Sequence, residues 1–356
     1  MRIIDTVIGI TCVGGHFSYE LIECFRNQND FRAKVIGFDS DPKATGRFFC
    51  DKFQVIPSAK YDPKGFINLV IDSCIQNSVD LFIPSSEEEC KAVVDNIDIF
   101  RLNSIDVSIG NTDIVGIMTD KFSFMHFLSE KGIEVGSFYP IHSLNDILDS
   151  LHNLDYPKSK VVLKPRNGAG SRGVLVLDSS LESVNEIIPD RNCVEGNLDS
   201  VLEYAKNKEI DFTFYMAMEY YSGDVYDIDC VAKNGKAVNV VPRLRKYDNP
   251  LSPFSEGCVI SQDKKIIKYV SDIVLSLECH GACDFDIAIN SLGEPRVIDA
   301  STRLSGSVAA SILAEINIPA QLVRIIKNME LKEYYPRDQV YVRPVKKFIK
   351  LDDCGH

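Results

Sequence analysis

"VVLKPRNGAGSRGVLVLD", residues 161–178, decides the fold, because Gly168, Gly170 and Gly173 stand in the G-x-G-x-x-G spacing that dinucleotide-binding folds place after a first strand. A dinucleotide loop must run from strand into helix, since the helix N-terminus supplies the positive end that holds the pyrophosphate. The residues after Gly173 are instead "VLVLD", rich in β-branched side chains and without a helix-start signal. The unit therefore reads as strand, glycine loop, strand: a flap that lays backbone amides over phosphates. Lys164 closes the first of these strands as a cation in an apolar run, either a snorkelling edge lysine or, with the glycine loop close behind it, a phosphate ligand. The second reading is preferred. Arg172 within the loop reads as a cover for the terminal phosphate or as a solvated loop tip.

On the N-terminal side, residues 3–100 alternate strand and helix patterns: "IDTVIGIT", "HFSYELIECFRN", "AKVIGFDSD", "GFINLVIDSCIQN", "VDLFIPSS" and "EEECKAVVDNIDIF". That is a doubly wound parallel sheet, with Gly14 and Gly15 at the first turn and Asp39 ending the second strand. Here a dinucleotide reading finds a second foothold, although "TCVGGH" lacks the full glycine spacing. From about residue 113 the pattern changes. Two helices, "TDKFSFMHFLSEKGI" stopped by Gly132 and "SLNDILDSLHNL" opened by Ser143, precede a run of strands, with Asn234-Gly235 and "NSLGEP" as hairpin turns. The fold class is thus α/β followed by α+β.

The last strands carry a second chemical signal. Pairing Ile289 with Arg296 across "GACDFDIAINSLGEPRVIDASTR" sets Asp286 opposite Asp299 and Asp284 opposite Ser301, all four on one face. Opposed carboxylates repel by up to about 1 kcal/mol. A divalent cation removes that cost, and hard oxygen ligands without histidine suit Mg2+; the competing reading is a solvated acidic face. Arg303 follows on the same side and suits either charge on a transferring phosphoryl group or an ion pair with an aspartate.

The chain of 356 residues is 45% hydrophobic and 25% charged, enough for two or three domains. Its formal net charge of −12 argues against a nucleic-acid partner while leaving room for a nucleotide in a local basic pocket. No apolar run approaches the roughly 18 residues of a membrane span, and "MRIIDTVIGITCVGG" does not resemble a signal peptide, so a cytoplasmic location without a membrane partner is expected. The 11 cysteines lack paired spacing and read as reduced thiols; Cys279, His280 and Cys283 have no second cluster to complete a zinc site.

In their order, the lysine strand, glycine flap, "MEYYSG" hinge and acidic hairpin ending in Arg303, all behind a doubly wound domain, resemble the ATP-grasp superfamily. Within it they are most similar to the branch of proteins like the carbamoyl-phosphate synthetase large chain, which includes stand-alone carboxylate-amine ligases. The likeness runs from "VIGFDSDPKATGRFFCDKFQVIP" through "TDKFSFMHFLSEKGI" to "VIDASTRLSGS". It implies a pre-ATP-grasp domain over 1–112, a small ATP-grasp subdomain with the flap over 113–190, a central subdomain over 191–331 and a short tail over 332–356, with ATP between two β-sheets. By the same likeness Lys121 and Lys164 contact ATP phosphates, and Asn167, Gly168, Ala169, Gly170, Ser171, Arg172 and Gly173 close over them. Glu219, Tyr220 and Tyr221 hold adenine through their backbone, with the Glu219 carboxylate in reach of the base. Asp284, Asp299 and Ser301 bind Mg2+, or Mn2+ in its place, and Arg303 faces the reacting phosphate. The reaction implied is phosphorylation of a small-molecule carboxylate to an acyl phosphate, captured by an amine or similar nucleophile, with release of ADP and phosphate. A homodimer is compatible with it.

Three positions depart from the family pattern. Asp299-Ala300-Ser301 stands where the metal strand reads glutamate, any residue, asparagine. Val225 stands where a ribose-binding glutamate is usual, with Asp224 or Asp227 as substitutes. On the substrate side "VVPRLRKY" offers Arg245, ahead of Arg243, to an acceptor carboxylate, followed by the substrate-proximal "SPFSEGCVIS", and Glu87 or Glu88 in "PSSEEE" could meet an amino group. A catalytically inactive ATP-binding regulator and an NAD-dependent oxidoreductase stand as the alternatives.

Overall fold

The computed structural model describes residues 3–345 apart from 27, 110, 169, 189–190 and 248–256. Ala169 of the flap, most of the "SPFSEG" loop and the end of the expected tail lie outside the described residues.

The N-terminal domain comprises β1 (Ile4–Ile10), α1 (Ser18–Arg26), β2 (Phe31–Asp39), β3 (Lys52–Val55), α2 (Pro63–Gln76), β4 (Leu81–Ile83), α3 (Glu87–Val94), α4 (Ile97–Leu102) and β5 (Asp106–Val107). Its five strands form a parallel sheet in the order β3-β2-β1-β4-β5. Helices cover the sheet, so β1 and β2 end in buried runs rather than alternating ones. The single helix expected over "EEECKAVVDNIDIF" is two: the Asn96 side chain donates to Ala92 O, and Asn96 is the residue before α4. Asparagine competes for helical carbonyls in this way, which ends α3.

The next unit begins with α5 (Asp113–Thr119) and α6 (Lys121–Glu130) and continues through β6 (Phe138–Ile141), α7 (Leu144–Asn153), β7 (Val161–Pro165), β8 (Leu175–Leu177), β9 (Asn185–Ile188), β10 (Cys193–Gly196), α8 (Leu198–Asn207) and β11 (Tyr215–Glu219). Its six strands are ordered β6-β11-β7-β8-β10-β9. The boundary expected at 190/191 falls between β9 and β10, which are hydrogen-bonded neighbours, and β11 pairs with β7, so this sheet reaches to Glu219. Of "FTFYMAMEYY" only Tyr215–Glu219 is strand; Phe212–Phe214 is a 3-10 turn in which the Asp211 carboxylate accepts from Thr213 N.

The third unit comprises β12 (Val225–Lys233), β13 (Lys236–Leu244), β14 (Cys258–Ile260), α9 (Lys264–Ser276), β15 (Gly281–Ile289), β16 (Pro295–Ser301), α10 (Ile318–Ile326) and β17 (Val340–Val342). The strands form an antiparallel sheet ordered β16-β15-β12-β13-β14-β17. Asn234 and Gly235 take φ of 51° and 77°, the left-handed pair that a two-residue hairpin needs. One face of this sheet packs on α9 through Ile266, Val270 and Ile273; the other shares a core with the N-terminal domain, where Ile8, Ile22 and Phe25 meet Val231, Val241 and Leu322. Part of the expected tail, β17, is a strand of this sheet. No single described helix is long and apolar enough to cross a membrane, and the described cysteines are free thiols.

Candidate active site

A cavity of about 630 Å³ lies between the second and third sheets, lined by Lys164 and the glycine loop on one side and by Asp284, Asp286 and Asp299 on the other. The strand-loop-strand reading holds: β7 leads into the loop and β8 leaves it. Gly168, Gly170 and Gly173 take φ of 109°, 71° and 73°, left-handed values that any other residue would occupy under strain. At Gly173 a Cβ would also lie 2.7 Å from Tyr215 Oη. The loop is anchored at both ends. Lys121 Nζ donates to Gly168 O at 2.5 Å, Arg191 Nη1 to Gly170 O at 2.8 Å, and Gly173 N to Arg191 O at 2.8 Å.

Lys121 is the first residue of α6, whose start is fixed by the Asp120 carboxylate accepting from Ser123 N. Asp120 also pairs with Arg166 at 2.7 Å, and Lys121 N donates to Arg166 O, so the helix and the base of the flap are joined. Lys121 is buried and its Nζ lies 3.2 Å from Asp299. Lys164 is 6% exposed and donates to Ile298 O at 2.6 Å across the cavity; burial pulls its pKa down to about 8.

The acidic hairpin has the expected facing pairs, Asp284 with Ser301 and Asp286 with Asp299, by a route the sequence did not suggest. Ile289 pairs with Pro295, not Arg296, and a bulge between Asp286 and Ile287 absorbs Ile298 and restores the register. On the other edge of β15, Asp286 faces Asp227 and Asp284 faces Asp229. Two facing rows thus cross three strands, the three acids Asp227-Asp286-Asp299 and the two acids Asp229-Asp284 ending in Ser301.

Guanidinium groups offset the repulsion in these rows. Arg245 lies 2.5 Å from Asp227 and 2.8 Å from Asp286, with its side chain 6% exposed. Arg243 lies 2.8 Å from Asp229 and donates to Ser305 and Ser307. The arginines proposed for an acceptor carboxylate are therefore spent as struts of the sheet, and Asp227, considered for ribose, is held by Arg245. Arg303 faces Asp284 at 3.5 Å. Among the described residues Asp284 Oδ1 is buried without a hydrogen-bond partner, and burial raises the pKa of this carboxyl well above its ordinary value. An orphaned buried carboxylate oxygen opposite a serine hydroxyl, with Asp299 close by, fits a hard cation. No group of three or more His, Cys, Asp or Glu among the described residues is arranged to hold a metal ion.

At the far end Glu219, Tyr220 and Tyr221 line the cavity as expected for the hinge. The Glu219 carboxylate accepts from Ser137 N at 3.0 Å, and Tyr221 Oη donates to Val135 O at 3.2 Å, so both fasten the segment between α6 and β6. Asn167, Ser171 and Arg172 line the cavity, as does Glu87; Glu88 is exposed and lines a separate cavity of about 230 Å³ at the edge of the first sheet. There the Asp39 carboxylate accepts from Gly14 N at 2.7 Å, and a Cβ on Gly46 would fall 1.9 Å from Val13 O. The acid that a dinucleotide ribose needs is consumed by the chain's own first turn, which removes the oxidoreductase reading's second foothold. Arg191 and Asp229 were missed in the sequence. Asp229 had a signal, since "DID" alternates with period two; Arg191 had none, because its contact is made by a loop.

A family model described as "ATP-grasp in the biosynthetic pathway with Ter operon" matches residues 211–348, and one described as "PylC-like, N-terminal domain" matches residues 8–108. A search of curated protein sequences returns no match. Among solved structures, N5-carboxyaminoimidazole synthetase from Staphylococcus aureus complexed with ADP is similar at a TM-score of 0.69 and 14% identity, over 93% of this chain and 80% of that one. Biotin carboxylase from Campylobacter jejuni follows the same fold at a TM-score of 0.67 and 14% identity, over 92% and 72%. So does L-amino acid ligase from Bacillus licheniformis, at 0.60 and 17%, over 92% and 75%. The chain thus joins a PylC-like N-terminal domain to an ATP-grasp domain, in the fold of these structures.

Proposed function

We propose that the protein is an ATP- and Mg2+-dependent ligase that phosphorylates a substrate carboxylate and joins the acyl phosphate to an amine, releasing ADP and phosphate. The observation that carries this reading is one cavity with Lys121, Lys164 and a glycine loop on one wall and Asp284, Asp299 and Arg303 on the other. Lysines and backbone amides suit a polyphosphate, and the acidic wall would hold Mg2+ through Asp284, Asp299 and Ser301. When bound, that cation supplies charge neutralisation along the phosphates.

The chain's own residues position and neutralise; none is needed as a covalent nucleophile. Lys121 and Lys164 hold phosphate oxygens, the flap excludes water, and Arg303 stabilises charge on the γ-phosphoryl group as the acceptor carboxylate attacks phosphorus and the bond to ADP breaks. The amine then attacks the acyl carbon and phosphate leaves. The similar structures, a synthetase, a carboxylase and a ligase, agree with this class.

Incubation with ATP, Mg2+ and pools of carboxylic acids and amines tests it. Acid-dependent ADP and phosphate are expected; AMP and pyrophosphate would contradict the acyl phosphate route. A nucleotide-binding regulator is the second reading, favoured by the short Asp299-Ala300-Ser301 donors, and ATP binding that no pool stimulates to turnover would select it.

A further inference from the structure

Each aspartate of the cavity's acidic wall has a cation within salt-bridge distance. Asp227 and Asp286 share Arg245, Asp229 holds Arg243, Asp284 faces Arg303 and Asp299 faces Lys121. Glu87 lines the same cavity from the N-terminal domain, and no hydrogen bond or ion pair holds its carboxylate among the described residues. Its place is fixed, because it is the first residue of α3, whose start is closed by the reciprocal Ser86 and Glu89 capping bonds. Burial raises its pKa, and Lys121, Asp299, Arg303 and Glu88 are the charges that reach it. An acid at a helix start is favourable for structural reasons alone. Glu88 and Glu89 already serve that end, however, and Glu89 alone is engaged by Thr11 Oγ1 and the Ser85 and Ser86 amides.

On the ligase reading, ATP draws Lys121, Lys164 and Arg303 to its phosphates, and the acceptor acid adds a further negative charge. Glu87 is then a partly desolvated carboxylate at the reacting end with no positive group from the protein left for it. We propose that Glu87 is the amine-side residue of the site: it binds the ammonium group of a primary amine, an alkylamine or the amino group of an amino acid, beside the acyl carbon and takes a proton from it. This inference rests on the ligase reading and adds the charge state and binding residue of its second substrate. The ammonium loses one proton to Glu87, the freed lone pair attacks the acyl carbon, the C–N bond forms, the bond to phosphate oxygen breaks, and the second proton leaves with phosphate.

Hydroxylamine separates the two halves of the reaction, because it traps acyl phosphates as hydroxamates and is uncharged near neutrality. The enzyme is given ATP, Mg2+, a pool of carboxylic acids, hydroxylamine and a pool of L-amino acids and alkylamines, and the ratio of amide to hydroxamate is measured by mass spectrometry. Wild type is expected to form both products. Glu87→Gln should lower the ratio by about tenfold or more, as loss of a charge-assisted bond does. Glu87→Asp should recover part of the loss, and Glu88→Gln should leave the ratio as it is. An unchanged ratio in Glu87→Gln overturns the proposal. So does loss of both products in a Glu87→Gln protein that still melts at the wild-type temperature, which would place Glu87 in the nucleotide half. So too does a wild type that forms hydroxamate but accepts no amine. Absence of hydroxamate with every acid defeats the ligase reading itself, and this inference with it.

Discussion

Lys164 shows how one buried side chain sets a working range. It is enclosed between the two sheets with Ile298 O as its hydrogen-bond partner, and burial, the largest influence, pulls its pKa from the ordinary 10.5 to about 8. Below that pH the free protein presents an ammonium to a phosphate. Above it, binding must first reload a proton. ATP affinity should therefore fall as pH rises through about 8, and Lys164→Arg, which stays charged, should flatten the profile; equilibrium titration across the range checks it. Ser301 gives the second test at this scale. It faces Asp284, whose Oδ1 has no partner among the described residues, with a hydroxyl where an amide oxygen would reach further. Ser301→Asn should lower the Mg2+ concentration for half-maximal turnover, and an unchanged Mg2+ dependence would show that Ser301 is not limiting. Ser301 was legible in the sequence because strand alternation fixes which side chains share a face, and Lys164 because it is a cation in an apolar run just before the glycine loop. The engagement of Arg245 was not, since its guanidinium lies between Asp227 on β12 and Asp286 on β15, and the strand pattern does not show where a long side chain ends.

Among elements, the flap and the hairpin divide what local pattern can and cannot give. Strand-loop-strand followed from "VLVLD" alone, and the hairpin turns followed from Asn234-Gly235 and "NSLGEP". The facing of Asp286 and Asp299 came out as expected only because two displacements cancel. The turn sets Ile289 against Pro295, one residue from the anticipated partner, and the bulge at Ile298 returns the register before the acids. Bulges depend on neighbouring strands and leave little trace in composition. The bracing of the flap by Arg191 is equally silent, being a contact 21 residues from Gly170 made by a loop. Its removal is measurable: Arg191→Ala should raise the Kd for ATP by about tenfold, the worth of one charged hydrogen bond of about 1.5 kcal/mol, with Lys recovering part of it. An unaltered Kd would show that the loop holds its shape without Arg191.

Over the whole molecule the N-terminal sheet and the antiparallel sheet are fastened through one shared core, and the other six-stranded sheet, across the cavity, joins the antiparallel sheet's second core through Met216 and Met218. Arg324 of α10 reaches Asp30 at 2.7 Å, with side chains 2% and 9% exposed, and the pair holds Asp30 below the usual carboxylate range. Arg324→Met strands a buried carboxylate and should cost about 3–5 kcal/mol, read as a lowered denaturation midpoint; a midpoint within error of wild type would mean that the pair is dispensable. The sequence separated the N-terminal domain from the rest by its change of pattern near residue 113, but the split at 190/191 cut a sheet, because β11 joins it from a distant part of the chain. Long-range pairing of that kind has no local period to betray it. The most direct measurement is a crystal structure with a non-hydrolysable ATP analogue and Mg2+. Adenine beside Glu219 to Tyr221, phosphates under the glycine loop between Lys121 and Lys164, and Mg2+ between Asp284 and Asp299 are predicted. A nucleotide at the edge of the N-terminal sheet beside Asp39 and Gly14, with the cavity between the two sheets empty, would contradict it.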